Sequence, residues 1–183
     1  MISKEKIIAN AKKYFDSLTN LGFDTEQLTQ FLGVSFIEAP LNPIGDMPNA
    51  FAGGLIDFLL KTTRNLIKLN DLVPEAKRIN KDSLIKVGLL HQIGKAKLFI
   101  PCTSEWHKTH QNKLYDYDET LVSMRIGNRS CFYAMSNGIN LTEEEFSAIL
   151  SYGIEDDKMV QYHNTTLGRL LKVAVEMTII EVK

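Results

Sequence analysis

The chain has 183 residues, 44% of them hydrophobic and 23% charged, which fits one well-filled globular domain and excludes a disordered or low-complexity polymer. Its 21 Lys and Arg against 22 Asp and Glu supply no overall field for nucleic acid or an anionic membrane, so a nucleic-acid role would need a local patch. No apolar run approaches the ~20 residues of a membrane span. The stretch Met1-Ile2-Ser3-Lys4-Glu5-Lys6 also lacks a signal-peptide core, so a soluble, cytoplasmic protein is expected.

Ser3 caps a first helix, with Ile7, Ile8, Ala11, Tyr14, Phe15 and Leu18 at helical spacing. Gly22 follows a polar break, and Thr25 to Leu32 reads as a second, short helix. Pro40, Pro43, Pro48 and Gly45 make the stretch from Gly33 to Pro48 largely irregular. A helix then runs from about Gly54 to Leu69, with Leu55, Phe58, Leu59, Thr62 and Leu66 along one side. Pro74 interrupts the connection to a helix that Asp82 or Ser83 starts and Gly94 ends.

Between Ala96 and Asp118 the pattern changes. Lys97-Leu98-Phe99-Ile100 and Lys113-Leu114-Tyr115-Asp116-Tyr117 read as two short strands of a hairpin flanking a polar loop. Helical spacing returns with Leu121, Met124, Arg125, Cys131, Phe132 and Met135 and ends near Asn137-Gly138. Thr142-Glu143-Glu144-Glu145 is a capping box opening the next helix, and a last helix runs roughly from Lys158 to Ile180. The expectation is an all-α domain with one small β-hairpin excursion, in which a helical, Pro-containing extension over 1–48 packs on a core over 49–183. Cys102 and Cys131 lie far apart and in no metal-type spacing, which suggests two free buried thiols.

The stretch His91-Gln92-Ile93-Gly94-Lys95 closes the apolar run Val87-Gly88-Leu89-Leu90 and reads as the end of a buried helix that delivers a histidine to a site. Taken with Gly53-Gly54-Leu55-Ile56-Asp57, Trp106, Tyr115-Asp116-Tyr117 and Gly127-Asn128-Arg129-Ser130, the order resembles the HD-domain phosphohydrolase superfamily, phage-encoded members included. The resemblance covers Asn49 to the C-terminus and implies an α-helical domain in which divalent metal, such as Mn, Fe, Ni or Mg, activates a water against a phosphate ester. Position by position, Phe58 stands at the first histidine, His91-Gln92 at the His-Asp pair, Ile126 at the third histidine and Tyr152 at or near the fourth. The late Asp of the last helix falls near Val175, with Glu176 adjacent. Only His91 is kept. Phe58 and Ile126 donate no electron pair and Gln92 carries no charge, so His91 and Gln92 mark a vestigial centre with no metal and no cofactor expected.

Other polar groups bear two readings each. Asp57, Asp116, Asp118, Glu119, Glu155, Asp156 and Asp157 offer oxygen ligands that would need His107 or His110 beside them. Trp106 and His107, with Lys108-Thr109-His110, read as an active-site lid or as a solvated polar loop pinned by the tryptophan. Asp57 reads as a ligand group or as the partner of a nearby base, and His163 as a surface or capping residue. His91 either keeps a ligand-binding role or is a core imidazole donating to a backbone carbonyl. Lys95 suits a phosphate or a helix C-terminus, while Arg125 and Arg129, spaced as i and i+4, suit an anion clamp or salt bridges. The leading expectation is a catalytically degenerate HD-fold protein that binds a nucleotide-like ligand or a protein partner. Its alternatives are an active phosphohydrolase using His91 with non-standard carboxylates, and a nucleic-acid accessory protein using Lys108, Lys113, Arg125 and Arg129 with Trp106.

Overall fold

Helix α1 (Lys4–Thr19) begins where the Ser3 hydroxyl accepts a hydrogen bond from the Lys6 amide, and it turns Ala11, Tyr14 and Leu18 inward. The computed structural model describes residues 2–152 and 165–182. Helix α2 (Glu26–Ile37) runs past the expected stop at Leu32, because Gly33 takes φ 59° and ψ −160° and lets the helix bend and resume. Without a Cβ that backbone state carries no steric penalty, so the glycine makes a kink where the sequence suggested an end. The proline-bearing segment from 38 to 53 is irregular, as expected, apart from one bridge between Ile44 and Lys113.

Helix α3 (Gly54–Asp71) is the central element. It packs against α4 (Lys81–Leu90), α1 and α8 (Thr166–Val182). Asn80 caps α4 by accepting from the Asp82 amide at 2.8 Å, so the helix starts slightly earlier than the expected Asp82 or Ser83. Gly88 lies at the α3–α4 contact, where a Cβ would stand 2.5 Å from the Thr63 hydroxyl, and only a glycine permits that approach. A single 3-10 turn over Ile93–Lys95 then leads into the excursion.

Strands β1 (Phe99–Pro101) and β2 (Tyr115–Tyr117) pair antiparallel, Phe99 with Tyr117, Ile100 with Asp116 and Pro101 with Tyr115. The connection between them is not the polar loop expected but helix α5 (Glu105–Gln111), capped by Ser104 and closed by Asn112 at φ 47°. The Ser104-Glu105 pair was the overlooked signal, since a hydroxyl at the N-cap accepts the amide of His107. Helix α6 (Ile126–Ser136) starts later than the apolar spacing suggested: Arg125 is its extended N-cap, and Leu121 and Met124 lie on the turn before it. Helix α7 (Glu143–Ser151) carries the predicted capping box, with Thr142 and Glu145 bonding reciprocally. The expected start of the last helix near Lys158, the acidic run Glu155-Asp156-Asp157 and His163 fall outside the described residues.

The described residues are thus mostly helical with one small hairpin, matching the expected class. One continuous core joins Tyr14, Leu18, Leu28 and Phe36 of the first two helices to Leu55, Phe58, Leu89, Ile149 and Leu171 of the rest. Burial of these side chains at roughly 25 cal/mol per Å² of apolar surface is the main stabilising term. No described helix is long and apolar enough to cross a membrane.

Candidate functional site

Helix α4 ends at His91, whose amide still bonds the Val87 carbonyl at 3.0 Å. The side chain is fully buried, with Nδ1 2.9 Å from the Gly88 carbonyl. A carbonyl can only accept, so Nδ1 carries the proton and Nε2 presents a lone pair. That Nε2 has no hydrogen-bond partner among the described residues. The Tyr152 ring meets the imidazole edge-on at 5.2 Å and 87°, and Phe58 flanks it at 6.4 Å. Gln92 turns away from any ionic role, its Nε2 donating to the Tyr152 hydroxyl at 3.0 Å.

Burial pushes the His91 pKa down to about 4, opposed by the Gly88 carbonyl and assisted by the nearby Lys95 charge. Burial likewise lifts Tyr152 to about 12, with the Glu176 charge adding to it. Both groups are therefore neutral near pH 7, and the chamber is a polar-edged aromatic cluster. The orphaned Nε2 suits a ligand, yet the rings flanking it are Phe58 and Tyr152, Gln92 carries no charge, and the nearby Glu176 carboxylate bears on Tyr152. A metal centre of the kind the resemblance implies needs anionic oxygens to offset its charge, so this donor set does not fit one.

The backbone just past His91 is held by Ser130, the last residue of the Gly127-Asn128-Arg129-Ser130 stretch. Its hydroxyl accepts from the Gly94 amide at 2.9 Å and donates to the His91 carbonyl at 3.1 Å. A Cβ on Gly94 would lie 2.6 Å from the Ile126 carbonyl, and one on Gly127 would lie 2.7 Å from the Ile149 carbonyl. These glycines let the turn after α4, the start of α6 and the end of α7 close on one another.

Asp57 lies on α3 and makes a network of its own. It pairs with Lys61 at 2.7 Å and accepts from Asn49 at 3.0 Å and Asn10 at 3.4 Å. Asn49, at φ 53°, also donates to the Gly54 carbonyl at 2.9 Å, and a Cβ on Gly54 would lie 2.1 Å from the Asn49 carbonyl. The Gly53-Gly54 motif thus seats the Asn49 turn on the first turn of α3, and of the two readings of Asp57 the structure shows the pairing with a base. Lys95 does not meet a helix end: its Nζ donates to the Leu41 carbonyl at 3.0 Å in the irregular segment, and burial lowers its pKa to about 8.

The two arginines do not form a clamp. Arg125 is exposed at the α6 N-cap, whereas Arg129 is buried and donates to the Val122 carbonyl at 2.6 Å. Helical spacing alone misplaced them, because the helix starts only at Ile126. Trp106 is 56% exposed on α5 and stacks on His110 at 5.0 Å and 18°. His107 stands apart from His91, beside Cys102 and Asp116, so the predicted set divides between the α4 end, the Asp57 network and the excursion. Against known proteins, no family model, no curated protein and no solved structure matches this chain.

Proposed function

We propose that this chain is a degenerate HD-fold protein that acts by binding a protein partner, without metal-dependent hydrolysis. The observation that carries the reading is the surroundings of His91: Phe58 and Tyr152, two positions at which the resemblance implies metal ligands, both flank the imidazole and both are aromatic. Gln92, standing for the anionic Asp, spends its amide on Tyr152. Exchanging bare ligands for packed rings removes the cost of desolvating uncompensated charge, so it stabilises the frame and abolishes the chemistry together.

A protein partner is favoured over a nucleotide by the character of the open surface. Ile8, Val34, Phe132 and Met135 are all large and largely exposed. A hollow of about 450 Å³ is lined by Ile2, Ile7, Ile8, Ile37 and Phe51, with Lys4, Glu38 and Tyr115 among its polar groups. Such surface suits apolar side chains better than a triphosphate. The test incubates the intact chain with nucleoside mono-, di- and triphosphates and a phosphodiester in Mg2+, Mn2+, Fe2+ or Ni2+. No phosphate release and no nucleotide-dependent change in Tm are expected. Turnover that disappears in His91→Gln would refute the proposal in favour of a working phosphohydrolase.

A further inference from the structure

The hairpin excursion brings together three side chains whose chemistry matches a metal better than it matches anything else in contact with them. The Sγ of Cys102, a ring nitrogen of His107 and a carboxylate oxygen of Asp116 all lie within 4.8 Å of one another. They come from three pieces of chain: the end of β1, the first turn of α5 and the middle of β2. We propose that Cys102, His107 and Asp116 bind one zinc-class divalent cation that clips the excursion together.

The donor set is specific in kind. One thiolate, one imidazole and one carboxylate suit zinc and its borderline neighbours, and disfavour Mg2+ and Ca2+, which want oxygen alone. A tetrahedral zinc needs donors about 3.3–3.6 Å apart, so a contraction of at most about 1.5 Å from the 4.8 Å bound suffices. Torsion of the partly exposed His107 can supply it. Three protein ligands leave the fourth position to water. The Cys102 thiol gives up its proton to solvent when it binds, so thiolate and carboxylate together neutralise the dication.

The neighbouring groups are consistent with this. Cys102 is 3% exposed, and its thiol lies 3.8 Å from the Ser104 carbonyl and hydrogen-bonds the Asp116 carboxylate. Neither ring nitrogen of His107 makes a hydrogen bond among the described residues. One oxygen of Asp116 is held by Lys113 at 2.6 Å, which fixes the carboxylate beside the Cys102 thiol. Lys113 and Cys102 pull the Asp116 carboxyl below its ordinary range, with His107 contributing.

The excursion also lacks the means to hold itself. Helix α5 has seven residues and none of them is buried, and each strand has three residues. Its ties run mainly to the irregular segment: backbone bonds to Pro43 and Gly45, the Ile44–Lys113 bridge and the Asn112–Asp46 hydrogen bond. A two-stranded hairpin of this size is marginal by itself, and small units of this kind are commonly stapled by a metal or a disulfide.

The test begins with the intact chain stripped by a chelator and titrated with Co2+ and then Zn2+. One equivalent should bind, with a thiolate-to-cobalt charge-transfer band that zinc displaces and with Cys102 becoming protected from alkylation. Cys102→Ser should lose the band, and His107→Ala and Asp116→Asn should lose stoichiometric binding, while far-UV circular dichroism falls by no more than the seven residues of α5 account for. His91→Gln should bind as the parent does. Absence of stoichiometric uptake by the parent, or uptake without a charge-transfer band, would overturn the assignment. Loss of binding in His91→Gln would overturn it too, by placing the metal at α4, and would count separately against the absence of hydrolysis.

Discussion

Acid stability gives the sharpest test of the His91 environment. Its pKa lies near 4 in the folded chain against 6.5 for a free imidazole, so the unfolded chain takes up a proton in the window between them and the folded chain does not. A depressed folded pKa contributes stability that is complete above about pH 6.5 and is lost as pH falls towards 4. By pH 5 the unfolded state binds almost one proton more than the native state, and integrating that difference down from pH 7.5 gives about 2 kcal/mol. Carboxylates such as Glu145, held down by Lys86 and the Thr142 amide against its burial, titrate lower in the same range and must be subtracted. The comparison is therefore parent against His91→Gln by urea denaturation at pH 7.5, 6.5, 5.5 and 5.0, because the amide keeps a donor for the Gly88 carbonyl but does not titrate. The parent should lose about 2 kcal/mol relative to the variant across that range. A difference that stays flat with pH would refute a buried, neutral imidazole and would point to a partner that stabilises its charge.

Further outcomes follow from the contacts around it. Tyr152→Phe deletes the acceptor of Gln92 Nε2 and should cost about 1–2 kcal/mol by chemical denaturation, with no effect on the pH slope assigned to His91. Gly54→Ala places a methyl 2.1 Å from the Asn49 carbonyl oxygen, so a Tm loss corresponding to about 3 kcal/mol is expected. If Gly54→Ala melts like the parent, the close seating of the Asn49 turn on α3 is wrong.

The fold was legible wherever one local rule decided the outcome. Ser3 and the Thr142–Glu145 box gave helix starts because caps act over a few residues. Where two local rules compete, a sequence pattern cannot choose between them. Gly33 allowed either a stop or a kink, and the packing of Phe36 into the core selected the kink. Leu121, Met124 and Arg125 kept helical spacing by coincidence, and the true start at Ile126 is set by the approach of α6 to Gly94. At the site, His91 as the end of a buried helix was readable from the apolar run before it. Its tie to Ser130 was not, since a contact spanning 39 positions leaves no periodic trace. Cys102 was dismissed for its spacing, yet the antiparallel register of β1 and β2 brings it beside Asp116.

The glycines of α3, of the turn after α4 and of α6 carry a consequence for how such a chain changes over time. Gly54, Gly94 and Gly127 each stand where an added methyl would strike a backbone carbonyl, an obstacle that no rotamer can relieve. Electron-pair donors obey no such constraint, because a ring or an amide can occupy a ligand's volume without moving the chain. Selection on spacing and selection on reactivity are therefore separable here, and the first can persist after the second has lapsed. In the proposed reading, the motifs that resemble a hydrolytic family include these spacing residues, which bear on chain geometry and not on turnover.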